Sequence, residues 1–209
     1  CKIARVQINK PTIGLLGLGA AGLSIGKFIL KYTGKPALGT ARTEASIKRH
    51  QEAGGIPSNL DEIMAKADIV IGTSGVKGLI DPKKVRKGQI IFALSNPYPE
   101  IDPQVARAAG AALAADGRTI NNLLGFPGIW RGTLDALATE INFEMYKAAA
   151  LAIADITSEG ELVPDPLDTK VHLAVTHAVA RAAVKSGVSR RVLDDGYFEN
   201  TNVLMPPWA

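Results

Sequence analysis

The sequence contains little cysteine and little histidine, and both shortages exclude particular kinds of site. Cys1 is the one cysteine among 209 residues, so no internal disulfide can form and a cytoplasmic setting is expected. The three histidines, His50, His172 and His177, are too few and too scattered along the chain for a metal cluster. We predict that they are surface or helix residues and that the chain holds no metal site.

Long apolar runs and segregated charge are also missing. No segment approaches the roughly 18 consecutive apolar residues that a membrane span requires, and the first residues lack the pattern of a secretory signal. The 24 basic and 20 acidic residues give a net charge of +4, but they are interspersed along the chain. We therefore expect neither a membrane nor nucleic acid as a partner, and we attribute the positive excess to solvation and to attraction for anionic ligands.

Glycine is plentiful, and three glycines form a GxGxxG motif between an apolar run and an amphipathic segment. Gly17 permits a sharp turn, Gly19 lets the backbone approach a pyrophosphate, and Gly22 lets the next helix pack closely on the sheet. We predict a helix over residues 20–31, whose first amides meet the phosphates. The predicted cofactor-binding residues of this loop are Gly17, Gly19, Ala20, Ala21 and Gly22. A tight turn without a ligand is the alternative, because a chain with 21 glycines can produce this spacing by chance.

The end of the second predicted strand bears on the choice between the two nicotinamide cofactors. An acidic side chain there accepts from the ribose 2′-hydroxyl of NAD, whereas an arginine accommodates the 2′-phosphate of NADP. This chain has Thr40, Ala41 and Arg42 in succession, with no acid before Glu44. Thr40 and Arg42 are therefore predicted cofactor contacts, and NADP is favoured over NAD, which remains possible. The alternative is that Arg42 is an ordinary solvated charge after a strand.

Strand and helix signals alternate along the next part of the chain. Apolar segments at 68–74, 89–94 and 111–115 are separated by helix-start signals at Ser58, Asp81-Pro82 and Asp102-Pro103. Five short strands separated by helices predict an α/β fold with a doubly wound, Rossmann-like parallel sheet. C-terminal helices follow, one capped by Thr139 and one, ending near Ser186, capped by Asp168. We predict a cofactor-binding domain over residues 1–165, and over 166–209 a helix and tail that pack on the domain or on a partner subunit.

Ligands of such sheets bind where the strands end, and small or polar residues follow four of the predicted strands. Those residues lie at 17–22, 40–42, 73–76 and 95–97. The last two of these segments add five predicted cofactor contacts, namely Thr73, Ser74, Gly75, Val76 and Asn96. Ser74 is not expected to be a nucleophile, because its surroundings lack the GxSxG pattern.

Two further segments occur in order behind the glycine loop, FALSNP ending at Pro97 and NNLLGFPG ending at Gly128. With them the chain resembles the cofactor-binding half of malic enzymes, from about residue 12 to residue 192. The resemblance implies oxidative decarboxylation of malate to pyruvate and carbon dioxide, with hydride transfer to NADP or NAD and a Mg or Mn ion. It also implies that Asn96 and Asn122 reach the substrate, malate or pyruvate.

A carboxamide suits that role, because it offers two donors and an acceptor in one plane without adding charge. The alternative is that Asn96 and Asn122 make only local turn hydrogen bonds, as asparagine often does beside proline or glycine. We also expect a homo-oligomer, a dimer or larger.

The chain departs from the family in what precedes Gly17. In malic enzymes the general-acid tyrosine, the general-base lysine and the metal-binding carboxylates lie before the glycine loop. None of the 16 residues there is acidic or a tyrosine, and Lys2 and Lys10 lie in no segment that resembles the catalytic one. We expect the chain to be the latter part of something longer, with the catalytic residues upstream, and to be inactive alone. A standalone NAD(P)-binding sensor or regulatory module is the alternative, while a methylenetetrahydrofolate dehydrogenase is disfavoured by the NNLLGFPG segment.

Overall fold

The structure, a computed structural model, describes residues 10–199. The chain divides into two compact units, the first ending at Asn121 and the second beginning at Asn122. This division differs from the boundary predicted at residue 165. The physical reason is that the helices between residues 126 and 156 pack against the helix over 169–185 and belong with it.

The first unit is built on one parallel sheet of six short strands. The strands, in chain order, are β1 (Ile13–Leu16), β2 (Leu38–Thr40), β3 (Ile56–Pro57), β4 (Ile69–Gly72), β5 (Ile90–Ala93) and β6 (Leu113–Asp116). Their order across the sheet is β3-β2-β1-β4-β5-β6, and every neighbouring pair is parallel. The predicted Rossmann-like fold is confirmed. The sequence predicted five strands and missed β3, because two exposed residues, one of them a proline, give no apolar run.

Four helices connect these strands: α1 (Ala20–Thr33), α2 (Glu44–Glu52), α3 (Leu60–Lys66) and α4 (Pro103–Ala108). Asp102 caps α4 as predicted, and its carboxylate accepts from the amides of Gln104 and Val105. The cap predicted at Ser58 lies one residue too early. The Asn59 side chain accepts from the Glu62 amide and caps α3, whereas the Ser58 hydroxyl donates to the Glu62 carboxylate at 2.7 Å.

Alternating strand residues supply the two faces of the sheet, as the two-residue period of a strand requires. Ile13 and Leu15 of β1 belong to the cluster that packs against apolar side chains of α1 and α2. Leu16 belongs to the other cluster, with Ile63 and Met64 of α3. Both faces are therefore covered, which is what leaves the ends of the strands as the place for a ligand.

His50 is the buried polar residue of α2, and it is not a surface residue. Its side chain is almost fully buried, and Nε2 lies 3.1 Å from the Ala37 carbonyl oxygen. Since a carbonyl can only accept, Nε2 carries the proton of this bond. A Cβ built on Gly39 or Gly55 would collide with the imidazole ring. The histidine thus fills space that these two glycines leave open.

The second unit is helical, with α5 (Phe126–Asp135), α6 (Phe143–Ile156), α7 (Thr169–Lys185) and the short α8 (Asp195–Glu199). Asp168 caps α7 as predicted, and Ser186 ends it. Helix α6 starts later than predicted, because Asn142 caps it by accepting from the Met145 amide. Thr139 instead bonds the Val188 carbonyl through its amide at 2.9 Å.

Close approach of α5 to α7 holds the second unit together. A Cβ on Gly128 would meet the Val175 side chain at 2.6 Å, so a larger residue there would push the helices apart. Helix α8 lies against the same pair, because the Tyr197 hydroxyl donates to the Asp135 carboxylate at 2.7 Å. The ring of His177 on α7 contacts the Tyr197 ring, with centroids 5.4 Å apart. The remainder of the predicted packing tail, 200–209, lies outside the described residues.

Candidate cofactor site

The glycine loop joins β1 to α1, and its first glycine is bonded on both sides. The Gly17 amide donates to the Thr40 carbonyl at the end of β2 at 2.9 Å. Its carbonyl accepts from the Thr73 hydroxyl, which follows β4, at 3.0 Å. The φ angle of Gly17 is +99°, and a Cβ there would lie 2.6 Å from Ser74. The sharp turn predicted for Gly17 is present, and its conformation suits glycine.

The start of α1 presents unpaired backbone donors. The first bond that ends on the cap residue runs from the Leu23 amide to the Gly19 carbonyl, so the amides of Ala20, Ala21 and Gly22 have no partner in the helix. No acidic residue lies in the first turn. A Cβ on Gly19 would meet nothing within 4 Å, so the space before these amides is open. An anionic group such as a pyrophosphate fits this arrangement.

Gly22 lies near the start of α1, close to the glycine loop and to the residue that follows β4. A Cβ at this position would collide with the Gly17 carbonyl oxygen and would lie 3.0 Å from the Thr73 hydroxyl. The third glycine of the motif therefore makes room for the loop itself, and the packing of α1 on the sheet follows from that.

A cavity of about 450 Å³ opens beside this loop, at the carboxyl ends of β1, β2 and β4. The predicted residues that line it are Gly17, Gly19, Thr40, Arg42, Thr73, Ser74 and Val76. The sequence therefore located the cavity, which lies at the reversal of strand order between β1 and β4.

Some predicted residues do not line the cavity, and some lining residues were missed. The predicted residues outside the lining are Ala20, Ala21, Gly22, Gly75 and Asn96. The missed lining residues are Leu18, Ala41, Thr43, Ser46, Leu60 and Leu79. Thr43 carries a signal that could have been used, since it caps α2 and accepts from the Ser46 amide. The apolar lining residues carry no local signal, because Leu18, Leu60 and Leu79 are indistinguishable from core residues in sequence.

Arg42 lies on the rim of this cavity with its side chain exposed. Its guanidinium forms no hydrogen bond or ion pair with any residue between 10 and 199. The Ser46 hydroxyl, which also faces the cavity, accepts from Nη2 of Arg49 at 3.1 Å. The end of β2 is thus surrounded by polar groups. They are the free guanidinium of Arg42, the bonded guanidinium of Arg49, and the hydroxyls of Thr43 and Ser46.

The loops that leave β4 and β5 meet on a buried carboxylate. Glu100 is 0% exposed, and Oε1 accepts from the Ser74 amide and the Ser74 hydroxyl, each at 2.7 Å. The same oxygen accepts from the Ser95 hydroxyl at 2.5 Å. The Ser74 hydroxyl therefore donates its proton to Glu100. The burial of Glu100 was not predicted, since a glutamate that directly follows Pro99 carries no local signal of burial.

Asn96 and Asn122 follow β5 and β6, one in each unit. Both side chains are exposed, and neither carboxamide bonds with another residue in the described part of the chain. The Asn122 carbonyl does accept from the Gly125 amide at 3.2 Å, at the start of a 3₁₀ turn over Asn122–Leu124. The peptide bond from Asn96 to Pro97 is cis. Neither side chain is therefore consumed by a local turn, which was the alternative for both.

The turn that leads from β6 towards Asn121 is set by Asp116. Its carboxylate accepts from the amides of Arg118 and Thr119, both at 3.1 Å, and pairs with the Arg118 guanidinium at 2.9 Å. Burial raises the pKa of Asp116, but the bonds from Thr119 and Arg118 outweigh it, so the pKa lies below its usual value.

A second cavity of about 450 Å³ lies in the second unit, between α6 and α7, with Leu151, Ala178 and Arg181 in its lining. Within the described part of the chain no glycine loop lines it, and its lining includes the acidic Glu144 in the first turn of α6, so it suits an anionic cofactor less well than the cavity at the glycine loop. Among residues 10–199, no three metal-ligand side chains lie together. No helix within those residues combines the length and the apolar character needed to cross a membrane.

The fold and the glycine-loop cavity define a dinucleotide-binding domain of the doubly wound type. The family model described as "Malic enzyme, NAD binding domain" matches residues 40–186. Over 185 residues the chain is 51% identical to NAD-dependent malic enzyme 1 of Bacillus subtilis, a match that covers 88% of this chain and 42% of that protein. It is 34% identical over 184 residues to the NADP-dependent malic enzyme of Escherichia coli, covering 71% of this chain and 24% of that protein.

The solved structures agree with these relatives. The malic enzyme from Pyrococcus horikoshii superimposes with a TM-score of 0.84 at 32% identity, covering 98% of this chain and 55% of that one. The chain belongs to the malic enzyme family, through its NAD-binding domain, and the resemblance stated from the sequence is confirmed. The chain spans about half, or less, of the length of the relatives that it matches.

Proposed function

We propose that this chain is the cofactor-binding part of a malic enzyme that oxidises malate to pyruvate and carbon dioxide, with NADP preferred over NAD as hydride acceptor. The single observation that carries the proposal is the cavity at the glycine loop, which Gly17, Gly19 and the exposed Arg42 line, directly before the start of α1 with its unpaired amides. Relatives named as NAD-dependent and as NADP-dependent both match, so the preference for NADP rests on the residues of this site.

The start of α1 would hold the pyrophosphate, because its amides donate and its dipole favours negative charge. The end of β2 would hold the ribose. Arg42 would pair with the 2′-phosphate, and the hydroxyls of Thr43 and Ser46 would complete the polar contacts there. No carboxylate lines this cavity among the described residues, so nothing there repels the phosphate.

When bound, the nicotinamide ring would supply the hydride acceptor. Asn96 would orient malate against it, since a free carboxamide can bond carboxylate and hydroxyl oxygens without changing the net charge, and the resemblance to the family implies that Asn122 also reaches the substrate. A reacting pair must be held within about 3–3.5 Å, so the value of these side chains lies in orientation. They cannot move the protons that the reaction requires, because a carboxamide is neither an acid nor a base near neutral pH.

The general acid, the general base and the ligands of a Mg or Mn ion are assigned to a part of the protein other than residues 10–199. A divalent ion does not fit the described residues, because no three ligand side chains lie together there. The 209 residues alone are then expected to bind the cofactor without oxidising malate.

A cytoplasmic homo-oligomer, a dimer or larger, completes the proposal. Phe126, Trp130 and Leu134 support assembly, because they recur every four residues on α5 and are each about half exposed or more. Light scattering of the complete protein measures its mass in solution, and a monomer at micromolar concentration would contradict this part.

The test is malate-dependent formation of reduced cofactor by the complete protein as encoded, supplied with Mg or Mn. Asn96→Ala is expected to lower kcat/KM for malate by about tenfold to a hundredfold, the value of one or two lost bonds to a charged substrate. Cofactor affinity, measured by isothermal titration, is expected to stay nearly unchanged.

Gln51→Ala is the matched control, since it removes an exposed carboxamide from α2, outside the cavity lining. It is expected to leave malate turnover unaltered. Cofactor binding by the complete protein without any malate turnover would contradict the proposal and fit the alternative of a cofactor-sensing module.

A further inference from the structure

Glu100 is a fully buried carboxylate for which the proposed reaction has no direct use. It forms no ion pair with any lysine or arginine between residues 10 and 199. An ionised group removed from water is costly unless hydrogen bonds replace its hydration. The partners of Glu100 therefore indicate what the buried group does.

Within residues 10–199, the four donors to this carboxylate come from two serines, Ser74 and Ser95. Oε1 accepts from the Ser74 amide, the Ser74 hydroxyl and the Ser95 hydroxyl at 2.5–2.7 Å, and Oε2 lies 3.4 Å from the Ser95 amide. Ser74 follows β4 and lines the cofactor cavity, whereas Ser95 precedes Asn96 after β5. One side chain thus joins the loop at the cofactor to the loop that carries the substrate asparagine.

The carboxylate also fixes the direction of both hydroxyls. Because it can only accept, each serine must donate its proton to Glu100 and turn its lone pairs towards the backbone. The Ser95 hydroxyl accepts from the Gly75 amide at 2.8 Å, and the Ser74 hydroxyl accepts from the Val76 amide at 3.1 Å. The backbone of the cofactor loop is therefore held by a chain of bonds that begins at Glu100.

Further backbone bonds run between the same two segments. The Gly78 amide donates to the Pro99 carbonyl at 3.2 Å, and the Ile80 amide donates to the Glu100 carbonyl at 3.0 Å. The carboxylate itself rests against Gly72, where a Cβ would lie 2.6 Å from the Glu100 Cδ. The Glu100 side chain thus occupies space that the glycine at position 72 leaves open.

We infer that Glu100 is a positioning residue, which sets the loop over residues 73–76 and the loop carrying Asn96 in one arrangement. The inference rests on the proposed function for its effect on malate. It does not rest on that function for its effect on the two loops. Glu100 touches neither substrate nor cofactor in this role, and acts through Ser74, Ser95 and the backbone between them.

Glu100→Gln tests the inference in the complete protein. Glutamine keeps the length and one acceptor oxygen, but it brings an amide group to face the Ser95 amide, so two donors oppose each other. We expect kcat with malate to fall by about tenfold to a hundredfold, the cost of misplacing reacting groups by a fraction of an ångström to about 1 Å. Glu100→Ala, which removes all the acceptors, is expected to be more damaging.

A double-mutant cycle with Asn96→Ala separates positioning from general weakening of the fold. If Glu100 acts through Asn96, Glu100→Gln lowers kcat by less than about threefold in the Asn96→Ala background, because coupled residues are not additive. Fully additive losses would overturn the inference, since they would assign Glu100 a merely structural role.

Amide hydrogen exchange supplies a readout that needs no turnover. In Glu100→Gln, the amides of Gly75 and Val76 are expected to exchange at least about tenfold faster, because the acceptors of both are no longer held. Ser95→Ala removes the acceptor of the Gly75 amide directly and serves if Glu100→Gln fails to fold. Unchanged exchange in both variants would overturn the inference.

Glu62→Gln is the control, because Glu62 also accepts from a serine hydroxyl, that of Ser58, but joins only residues at its own helix. It is expected to change neither kcat nor the exchange at Gly75 and Val76. If the wild-type protein does not oxidise malate at all, the proposed function fails, whereas amide exchange still decides the role of Glu100.

Discussion

Replacing Arg42 by glutamine tests the choice of cofactor most directly. The guanidinium is exposed at the cavity rim and bonds with no other residue between 10 and 199, so its removal breaks no internal contact. Any change in affinity therefore reports the contact between Arg42 and the bound cofactor. Arg42→Gln is expected to weaken NADP binding and to leave NAD binding nearly unchanged, because only NADP carries the 2′-phosphate.

The size of the effect follows from the exposure of the side chain. A hydrogen bond to a charged group contributes about 1.5–3 kcal/mol, or about tenfold to a hundredfold in affinity. Solvent and salt screen an exposed pair, so the lower end of that range applies at physiological ionic strength. We expect a loss of about tenfold there and a larger loss at low salt. Arg42→Asp is expected to reverse the order of the two cofactors, since a carboxylate repels the phosphate and accepts from the ribose hydroxyl.

Isothermal titration with each cofactor, at two salt concentrations, measures both affinities. Lys87→Gln is the control, because it removes an exposed positive charge that precedes β5 and lies away from the cavity lining. Lys87→Gln is expected to change the affinities for NADP and NAD only slightly, and by the same factor. Equal binding of NADP and NAD by the wild-type protein, or an Arg42→Gln variant that loses both cofactors alike, would refute the reasoning.

Two further predictions concern the glycine loop and the turn after β6. Gly19→Ala is expected to change the free energy of unfolding by about 1 kcal/mol or less and to weaken cofactor binding more than about tenfold, because its Cβ enters open space where the pyrophosphate approaches. Gly22→Ala is expected to lower the free energy of unfolding by about 1–3 kcal/mol, since its Cβ collides with the Gly17 carbonyl. Urea unfolding measures both variants, and a larger loss of stability in Gly19→Ala than in Gly22→Ala would contradict this account. Because the pKa of Asp116 is lowered in the folded state, its contribution to stability is present above its unfolded pKa of about 3.9 and is lost as pH falls through the folded value. Asp116→Asn should therefore destabilise the protein near pH 7 more than near about pH 3, and an equal difference at both values would contradict this account.

The sequence was informative wherever a local rule decides the structure. The glycine loop, the helix caps Asp102 and Asp168, and five of the six strands follow from patterns within a few residues. It failed where a second signal of equal strength stood nearby. Ser58 and Asn59 are both good caps, and the helix used the later one; the choice between Thr139 and Asn142 went the same way.

The candidate site was predictable in its backbone and not in its supporting side chains. Thr73 and Ser74 could be placed at the cavity because they follow a strand. Glu100 could not, because its burial depends on bonds to residues 26 and 5 positions away in sequence. A charged residue near two prolines is usually exposed, and nothing local distinguishes this one.

His50 and the glycines around it share one volume, and this has a consequence for how the family varies. A methyl group at Gly39 or Gly55 would occupy the position of the imidazole. Either glycine can therefore be replaced by a larger residue only if His50 is replaced by a smaller one. A smaller residue at position 50 would leave a void, unless a larger residue replaced one of the glycines, and it would remove one of the two hydrogen bonds to the Ala37 carbonyl, which also accepts from the Ile56 amide. Among relatives, positions 39, 50 and 55 are thus expected to change together, as a single inherited unit whose total size is conserved.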